Sequence, residues 1–229
     1  MCFNAPISFI TFFVGMYIAY ELWSRKKEEA YEKKYDYWNS LFVVSFILMQ
    51  LAEGFAWLGY DLAKYFIIYI VGLHPIIQSF GNAYFNGQPL FYIPVIIGFM
   101  LLSVLRVQEK IGVGLNGHLN WFLNFDNKMW YFIYFAYYFT FMTVPLFWQV
   151  PLNRYSILAV YGILTLLWSV YNYQLSGEFS SMWCFLAIGY AILAYIVNLK
   201  PKVSPKPKVS LKPKVSLKPK VKSRTEGKS

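Results

Sequence analysis

The sequence predicts an all-α integral membrane protein: a bundle of seven transmembrane helices followed by a disordered basic C-terminal tail. Three observations support this prediction. Hydrophobic residues make up 58% of the 229-residue chain and charged residues only 14%, whereas a soluble domain of this size exposes more polar surface. Apolar runs of about twenty residues recur along the chain. Eleven of the 21 Lys and Arg residues lie at or after Lys200. We therefore expect a seven-helix domain at residues 1–199 and a tail at residues 200–229.

Each predicted span is an apolar run long enough, or nearly long enough, to cross a bilayer. Short links rich in Gly, Pro and Asn join most of the runs, and the tight link at 59–62 predicts a helical hairpin between the second and third spans. If those two spans instead form a re-entrant pair, the count becomes six. The predicted spans are residues 5–22, 41–60, 63–82, 89–105, 129–148, 155–173 and 180–198.

The distribution of basic residues predicts the orientation of the chain. The first loop carries five of them, Arg25 to Lys34, and the tail carries eleven, whereas the alternate loops hold four. The positive-inside rule then places the first loop and the tail in the cytoplasm and the N-terminus outside. An odd number of spans separates the two ends, in agreement with seven.

The tail repeats the unit Lys-Pro-Lys-Val-Ser-Pro/Leu from Lys200, Lys206 and Lys212, with a truncated copy from Lys218. A proline in each unit excludes a helix, and the composition favours a disordered, partly polyproline II chain. Juxtamembrane lysines at this density predict binding to anionic membrane lipids. Because the basicity belongs to a tail and not to a folded surface, we expect no nucleic-acid partner. The oligomeric state is left open.

The candidate site centres on Glu53, which lies in the second predicted span. An ionisable residue at membrane depth is costly where it faces lipid, so Glu53 is expected to face a protein interior or a wet cavity. Gln50 lies one helical turn away, and Trp57 follows Glu53 at i+4. The alternative interpretation is structural: a protonated Glu53 that bonds an amide or carbonyl across two packed helices.

His74, in the third predicted span, is the second candidate residue. Pro75 removes a backbone hydrogen bond beside it and is expected to kink the span and shape a cavity. Gln78 and Asn82 follow His74 at i+4 and i+8 and share its helix face. Ideal helix rise offsets His74 from Glu53 by about 8 Å along the membrane normal, so Gln50 or a water would bridge them. Asn4 and Asn82 are possible further members of the pocket.

Several classes of protein and site are excluded by missing residues. The last span has no lysine for a retinal Schiff base, and the chain contains neither the Asn-Pro-x-x-Tyr motif of G-protein-coupled receptors nor a potassium filter. One carboxylate and one histidine lack the third ligand of a metal site, so no metal and no cofactor are expected. The stretch at 106–128, with four glycines or asparagines between Gly112 and Gly117, lacks the pattern of a phosphate-binding loop and is interpreted as a flexible segment, with a lid as one option.

Three segments together carry a resemblance to a known family: Met1-Cys2-Phe3-Asn4-Ala5-Pro6-Ile7-Ser8-Phe9, Gln50-x-x-Glu53-Gly54-x-x-Trp57, and Ser181-Met182-Trp183-Cys184-Phe185. In them the chain resembles a family of small, uncharacterised multi-span membrane proteins found in bacteria and large DNA viruses. The resemblance covers residues 1–198 and implies that Glu53 and Trp57 are shared features, but it implies no activity. The chain departs from the pattern by having Asn4 where Ser is usual and by adding the lysine-proline tail, which would suit a large virus.

The leading functional hypothesis is transport or sensing of a small polar solute or protons through the pocket around Glu53. One alternative is a non-catalytic viral or cellular scaffold protein whose tail binds lipid. Another is a membrane-embedded enzyme acting on lipid, with Glu53 or His74 as general base. Because the sequence offers no convincing nucleophile or metal triad, we expect a protein that is not an enzyme.

Overall fold

The computed structural model describes most of the chain up to Leu199. The described residues are 4–30, 32–104, 112–120, 128–147, 152–173 and 178–199. Cys2 and the predicted tail at 200–229 lie outside them.

Within this part of the chain the fold is mostly helical, as predicted. It contains seven α-helices: α1 Ala5–Ser24, α2 Lys33–Trp57, α3 Ala63–Phe85, α4 Tyr92–Leu102, α5 Lys128–Phe147, α6 Leu152–Tyr173 and α7 Phe179–Val197. Each overlaps one of the predicted apolar runs, because a long apolar stretch in a buried or lipid setting favours helix, which satisfies its backbone hydrogen bonds internally. α3 continues through Pro75.

Two elements differ from the prediction. α2 begins at Lys33, eight residues before the predicted 41, because Lys33 donates to the last carbonyls of α1, at Leu22 and Trp23, and anchors a polar first turn. α4 is shorter than the predicted 89–105, since Pro89–Phe91 forms a separate 3₁₀ turn before it.

A small antiparallel hairpin interrupts the all-α fold between α4 and α5. Strands β1, Gly112–Val113, and β2, Leu119–Asn120, pair through the turn that contains Gly117, whose φ of 76° favours glycine. The hairpin packs against α7. The part of the predicted flexible segment that the structure describes is therefore an ordered hairpin.

Four of the described helices are long and apolar enough to cross a membrane: Ala5–Ser24, Lys33–Trp57, Ala63–Phe85 and, within α6, Ser156–Tyr173. Three shorter apolar segments, Pro89–Leu102, Phe132–Phe147 and Phe185–Val197, occupy the remaining helices. Large apolar side chains such as Phe13, Tyr17 and Phe66 are exposed on the outer faces of the helices. These features are compatible with a membrane protein.

α2 is the central helix of the bundle. It packs against α1, α3 and α7, and α3 in turn packs against α5. Its interior face carries both the largest buried side chains, such as Trp38 and Phe42, and buried polar residues. Several polar candidates from the sequence thus lie on or next to a helix that packs against three others.

Buried polar contacts tie the ends of α1, α2 and α7 together. Arg25, just after α1, bonds to the Asp36 carboxylate at 3.1 Å and to the Tyr195 carbonyl at 2.8 Å. Asn198 donates to the same Asp36 oxygen at 2.8 Å and also pairs with the backbone of Glu32. We call Arg25, Asp36 and Asn198 the end clasp.

Candidate functional site

Glu53 and Gln50 form a buried pair on α2. The Gln50 amide nitrogen donates to a Glu53 carboxylate oxygen at 3.0 Å, and the two residues are 1% and 0% exposed. The i, i+3 spacing puts both side chains on one helix face, as the sequence predicted. The carboxylate therefore lies inside the bundle with a neutral amide against it.

The neighbouring Gly54 allows a close helix contact at this pair. An added Cβ at Gly54 would lie 2.8 Å from the ring of Phe9 on α1, so the Phe9 ring rests directly on the α2 backbone. Phe9 also packs edge-on against Phe55, with ring centroids 5.5 Å apart. α1 thus packs closely over the part of α2 that carries Glu53.

His74 lies in a separate group of aromatic side chains. Its Nδ1 lies 3.1 Å from the Tyr138 hydroxyl on α5, and its ring lies against Phe46 on α2 with centroids 4.2 Å apart. Phe42 contacts the same imidazole, and Trp183 on α7 packs against both Phe46 and Tyr138. We call Phe42, Phe46, His74, Tyr138 and Trp183 the aromatic layer.

Beyond the aromatic layer, a second group of polar side chains is buried between α2 and α3. Its members are at most 1% exposed. The Tyr190 hydroxyl on α7 donates to Asn39 at 3.0 Å and also faces the Gln78 amide. Asn82 accepts a hydrogen bond from the Asn86 amide at 2.6 Å. We call this group the inner polar cluster, and it consists of Trp38, Asn39, Gln78, Ser79 and Asn82.

Of the sequence candidates, Glu53 and Gln50 therefore lie on one side of the aromatic layer, Gln78 and Asn82 lie on the other, and His74 belongs to the layer itself. Along α2 the order is Glu53 and Gln50, then Phe46 and Phe42, then Asn39. Gln50 and Asn39 are eleven residues apart, or about 16 Å along the helix axis at 1.5 Å per residue. The structure brings Gln50 to Glu53, whereas the hydrogen bond of the His74 ring is to Tyr138.

The remaining candidates have structural positions. Asn4 is exposed and caps α1, its side chain accepting from the Ile7 amide at 3.0 Å. Pro75 is buried beside His74. Trp57 is half-buried at the end of α2, and the Trp183 indole donates to the Gly162 carbonyl at 3.3 Å.

Three cavities lined by described residues have neither Glu53, Gln50 nor His74 in their linings. An apolar groove with a cavity volume of about 40 Å³ runs between α5, α6 and α7 beside Phe46 and Trp183. Another, of about 300 Å³, lies on the outer face of α2 and α3 around Leu51 and Phe66. The third, of about 100 Å³, is polar and lies at the link between α2 and α3, next to Asp61 and Lys64.

Another buried carboxylate, Glu178 at the start of α7, was not predicted from the sequence. It is 0% exposed, and its two oxygens accept from the Asn116 backbone at 2.9 Å and from the Asn116 side chain at 2.9 Å. The hairpin is thereby held on α7, with His118 edge-on to Tyr173. Burial lowers the pKa of His118, and the Glu178 carboxylate partly opposes that shift.

Tyr138, Tyr190 and Asn39 were also missed from the sequence. Tyrosine is frequent in this chain, with 20 copies, so no single tyrosine stood out. Asn39 lies just before the apolar run that predicted the second span. Asn39 follows Asp36 at i+3, so the two residues share one face of a helix. This spacing could have predicted a polar face at this end of α2.

The fold and the site together define a mostly helical protein, compatible with a membrane, that buries two polar groups around an aromatic layer. Among the described residues no group of three His, Cys, Asp or Glu side chains is arranged to hold a metal ion. Comparisons with protein-family models, with curated proteins and with solved structures give no match.

Proposed function

We propose that the chain is a multi-pass membrane protein with seven transmembrane helices that transfers or senses protons or a small polar solute, with Glu53 as its protonatable group. In this proposal the N-terminus is outside and the tail is cytoplasmic, where its lysines bind anionic lipid with about 1 kcal/mol for each residue near the surface. The three apolar segments that are shorter than a full span then cross the membrane as part of the bundle, as local bilayer thinning permits.

The observation that carries the proposal is the buried Glu53–Gln50 pair. An ionised carboxylate in an apolar interior is costly unless it is paired, so residues of this kind in spans mark proton or solute pathways. Gln50 offers a neutral amide that can bond to either protonation state of Glu53. Glu53 can therefore take up or release a proton without losing this contact.

The position of the aromatic layer supports a gated path. Polar groups lie on both sides of it, and it contains an imidazole bonded to a phenol, His74 and Tyr138. Both side chains can donate and accept protons, whereas Phe42 and Phe46 exclude water around them. The aromatic layer thus holds one polar pair, His74 and Tyr138, inside an otherwise apolar barrier.

Between the two kinds of cargo, the packing favours protons. Phe9 lies on Gly54 next to Glu53, and the three cavities described above are not lined by Glu53 or Gln50. A proton needs no cavity of its own size, whereas a solute does. We therefore take proton transfer as the form of the proposal to test first.

The test is proton flux into liposomes that contain the purified full-length protein, an internal pH dye and an imposed membrane potential. We expect flux in the parent, loss of flux to the level of empty liposomes in Glu53→Gln, and unchanged flux in Glu28→Gln. Glu28 is exposed in the first loop, so it controls for the loss of one carboxylate. Equal flux in the parent and Glu53→Gln, or parent flux no greater than that of empty liposomes, would reject the proposal.

A further inference from the structure

The inner polar cluster contains six buried polar atoms without a hydrogen-bond partner in the structure. They are Trp38 Nε1, Asn39 Nδ2, Gln78 Nε2, Gln78 Oε1, Ser79 Oγ and Asn82 Nδ2. A buried polar atom without a partner is destabilising, and folded proteins rarely leave one unsatisfied. Six such atoms within about one turn of each of two neighbouring helices are unusual.

Contacts among α2, α3 and α7 connect the residues that carry these atoms. An added Cβ at Gly81 would overlap the Trp38 indole nitrogen, so this N–H lies directly against the α3 backbone. Ser79 and Asn82 flank that contact on α3, and Gln78 lies one turn from Asn82. Tyr190 connects the two helices, since its hydroxyl bonds to Asn39 and faces Gln78.

The chemistry of the cluster points to a small neutral ligand. Four of the six atoms are N–H donors, one is a carbonyl oxygen and one is a hydroxyl. The five side chains of the cluster are all uncharged, and a buried ion without a charged partner is strongly disfavoured. Water satisfies both donors and acceptors and typically makes two to four bonds in such sites.

We infer that the inner polar cluster is a binding site for ordered water, held between α2 and α3 on the far side of the aromatic layer from Glu53. The Trp38 indole lies directly against Gly81, so a solute larger than water does not fit at this contact. Water here would join Asn39 and Tyr190 to Gln78 and onward to Asn82 and Asn86 at the end of α3. This inference does not depend on proton transfer by Glu53.

The test measures magnetisation transfer from water to tryptophan indole N–H groups by solid-state NMR. It uses the ¹⁵N-labelled full-length protein in liposomes, with signals assigned through Trp38→Phe and Trp183→Phe. Trp183 is the matched control because its indole N–H donates to the Gly162 carbonyl. We expect early transfer to Trp38 and slower transfer to Trp183. Transfer to Trp38 that is no faster than to Trp183 would overturn the inference.

A second variant shows whether the cluster itself holds the water. Gln78→Leu removes two of the six polar atoms and replaces them with an apolar side chain of similar volume. We expect magnetisation transfer from water to Trp38 to fall toward the rate for Trp183. Gln88→Leu, at an exposed position, should leave it unchanged. Unchanged transfer in a folded Gln78→Leu protein would contradict the inference. If that variant does not fold, Ser79→Ala replaces it with a smaller change and the same expected direction.

The two proposals fail separately. A protein that conducts no protons but shows rapid transfer to Trp38 would reject the proposed function and support the water site. A protein that conducts protons through Glu53 but shows transfer to Trp38 no faster than to Trp183 would support the proposed function and reject the water site.

Discussion

At the scale of single residues, glycines determine how closely α2 can approach its neighbours. Gly81 on α3 contacts the Trp38 indole, Gly54 on α2 contacts Phe9, and Gly15 on α1 contacts Ile47. In helices that pack in a membrane, small residues allow the backbones to come close. These three glycines therefore set how closely α1 and α3 pack against the face of α2 that carries the buried polar side chains.

Gly81→Ala should lower the free energy of unfolding by about 1–3 kcal/mol, because the new methyl group would overlap the fully buried Trp38 ring. Gly162→Ala is the matched control, since nothing lies within 4 Å of its added Cβ. Alanine there should leave stability unchanged or raise it by up to about 1 kcal/mol. Reversible unfolding in mixed micelles measures both variants. Equal effects of the two substitutions would show that the Trp38 contact is not tight.

The sequence predicted local pairs of residues better than distant ones. Gln50 and Glu53 are three residues apart on one helix, so helical spacing alone predicts that they meet. His74 and Tyr138 are 64 residues apart, and their contact depends on how α3 packs against α5. Apolar periodicity does not show which helices pack together, so the sequence did not predict Tyr138 as the partner of His74. The sequence analysis instead expected Gln50 or a water to link His74 to Glu53.

At the scale of helices and strands, the end clasp is the clearest example of charge inside the fold. The Arg25 and Asp36 side chains are 2% and 0% exposed, whereas the Lys64–Asp61 pair at the α2–α3 link is 13% and 78% exposed. Removing one member of a buried pair leaves a buried charge uncompensated, but an exposed pair contributes little. The two ion pairs therefore differ in what they contribute to stability.

Asp36→Asn should destabilise the protein by about 3–5 kcal/mol, because the buried Arg25 guanidinium loses its counter-charge. Asp61→Asn removes the same charge from the exposed pair and should cost at most about 1 kcal/mol. Unfolding of both variants in the same micelles gives the comparison. A small loss in Asp36→Asn, similar to that in Asp61→Asn, would mean that Arg25 finds water or another partner when the clasp is broken.

The sequence predicted that each helix forms, but it did not predict where α2 begins or that residues 112–120 form a hairpin. Apolar length predicts that a helix forms, whereas the start of α2 at Lys33 depends on contacts of Lys33 with the end of α1. The hairpin depends on Glu178, which lies 60 residues from His118 in the chain and binds the turn between the strands. Both features come from tertiary contacts that a residue pattern does not encode.

At the scale of the whole molecule, the account depends on how many of the seven described helices cross a membrane. Four are long and apolar enough by themselves, and α4, α5 and α7 contain shorter apolar segments. The predicted charge asymmetry, with five basic residues in the first loop and eleven at or after Lys200, requires an odd number of crossings. If the second helix did not cross, Glu53 would not lie inside a membrane, and the proposed proton path would have no barrier to cross.

The measurement that tests this central claim most directly is labelling of single cysteines with a membrane-impermeant maleimide. In a background with Cys2→Ser and Cys184→Ser, single cysteines replace the exposed residues Lys27, Asp61, Gln88 and Leu115, and also Ser216 in the tail. In right-side-out vesicles we expect labelling at Asp61→Cys and Leu115→Cys only, and in inside-out vesicles at the other three only. Labelling of Lys27→Cys and Asp61→Cys from the same side would contradict the account, because α2 would not cross. Labelling of Leu115→Cys and Ser216→Cys from the same side would contradict seven spans.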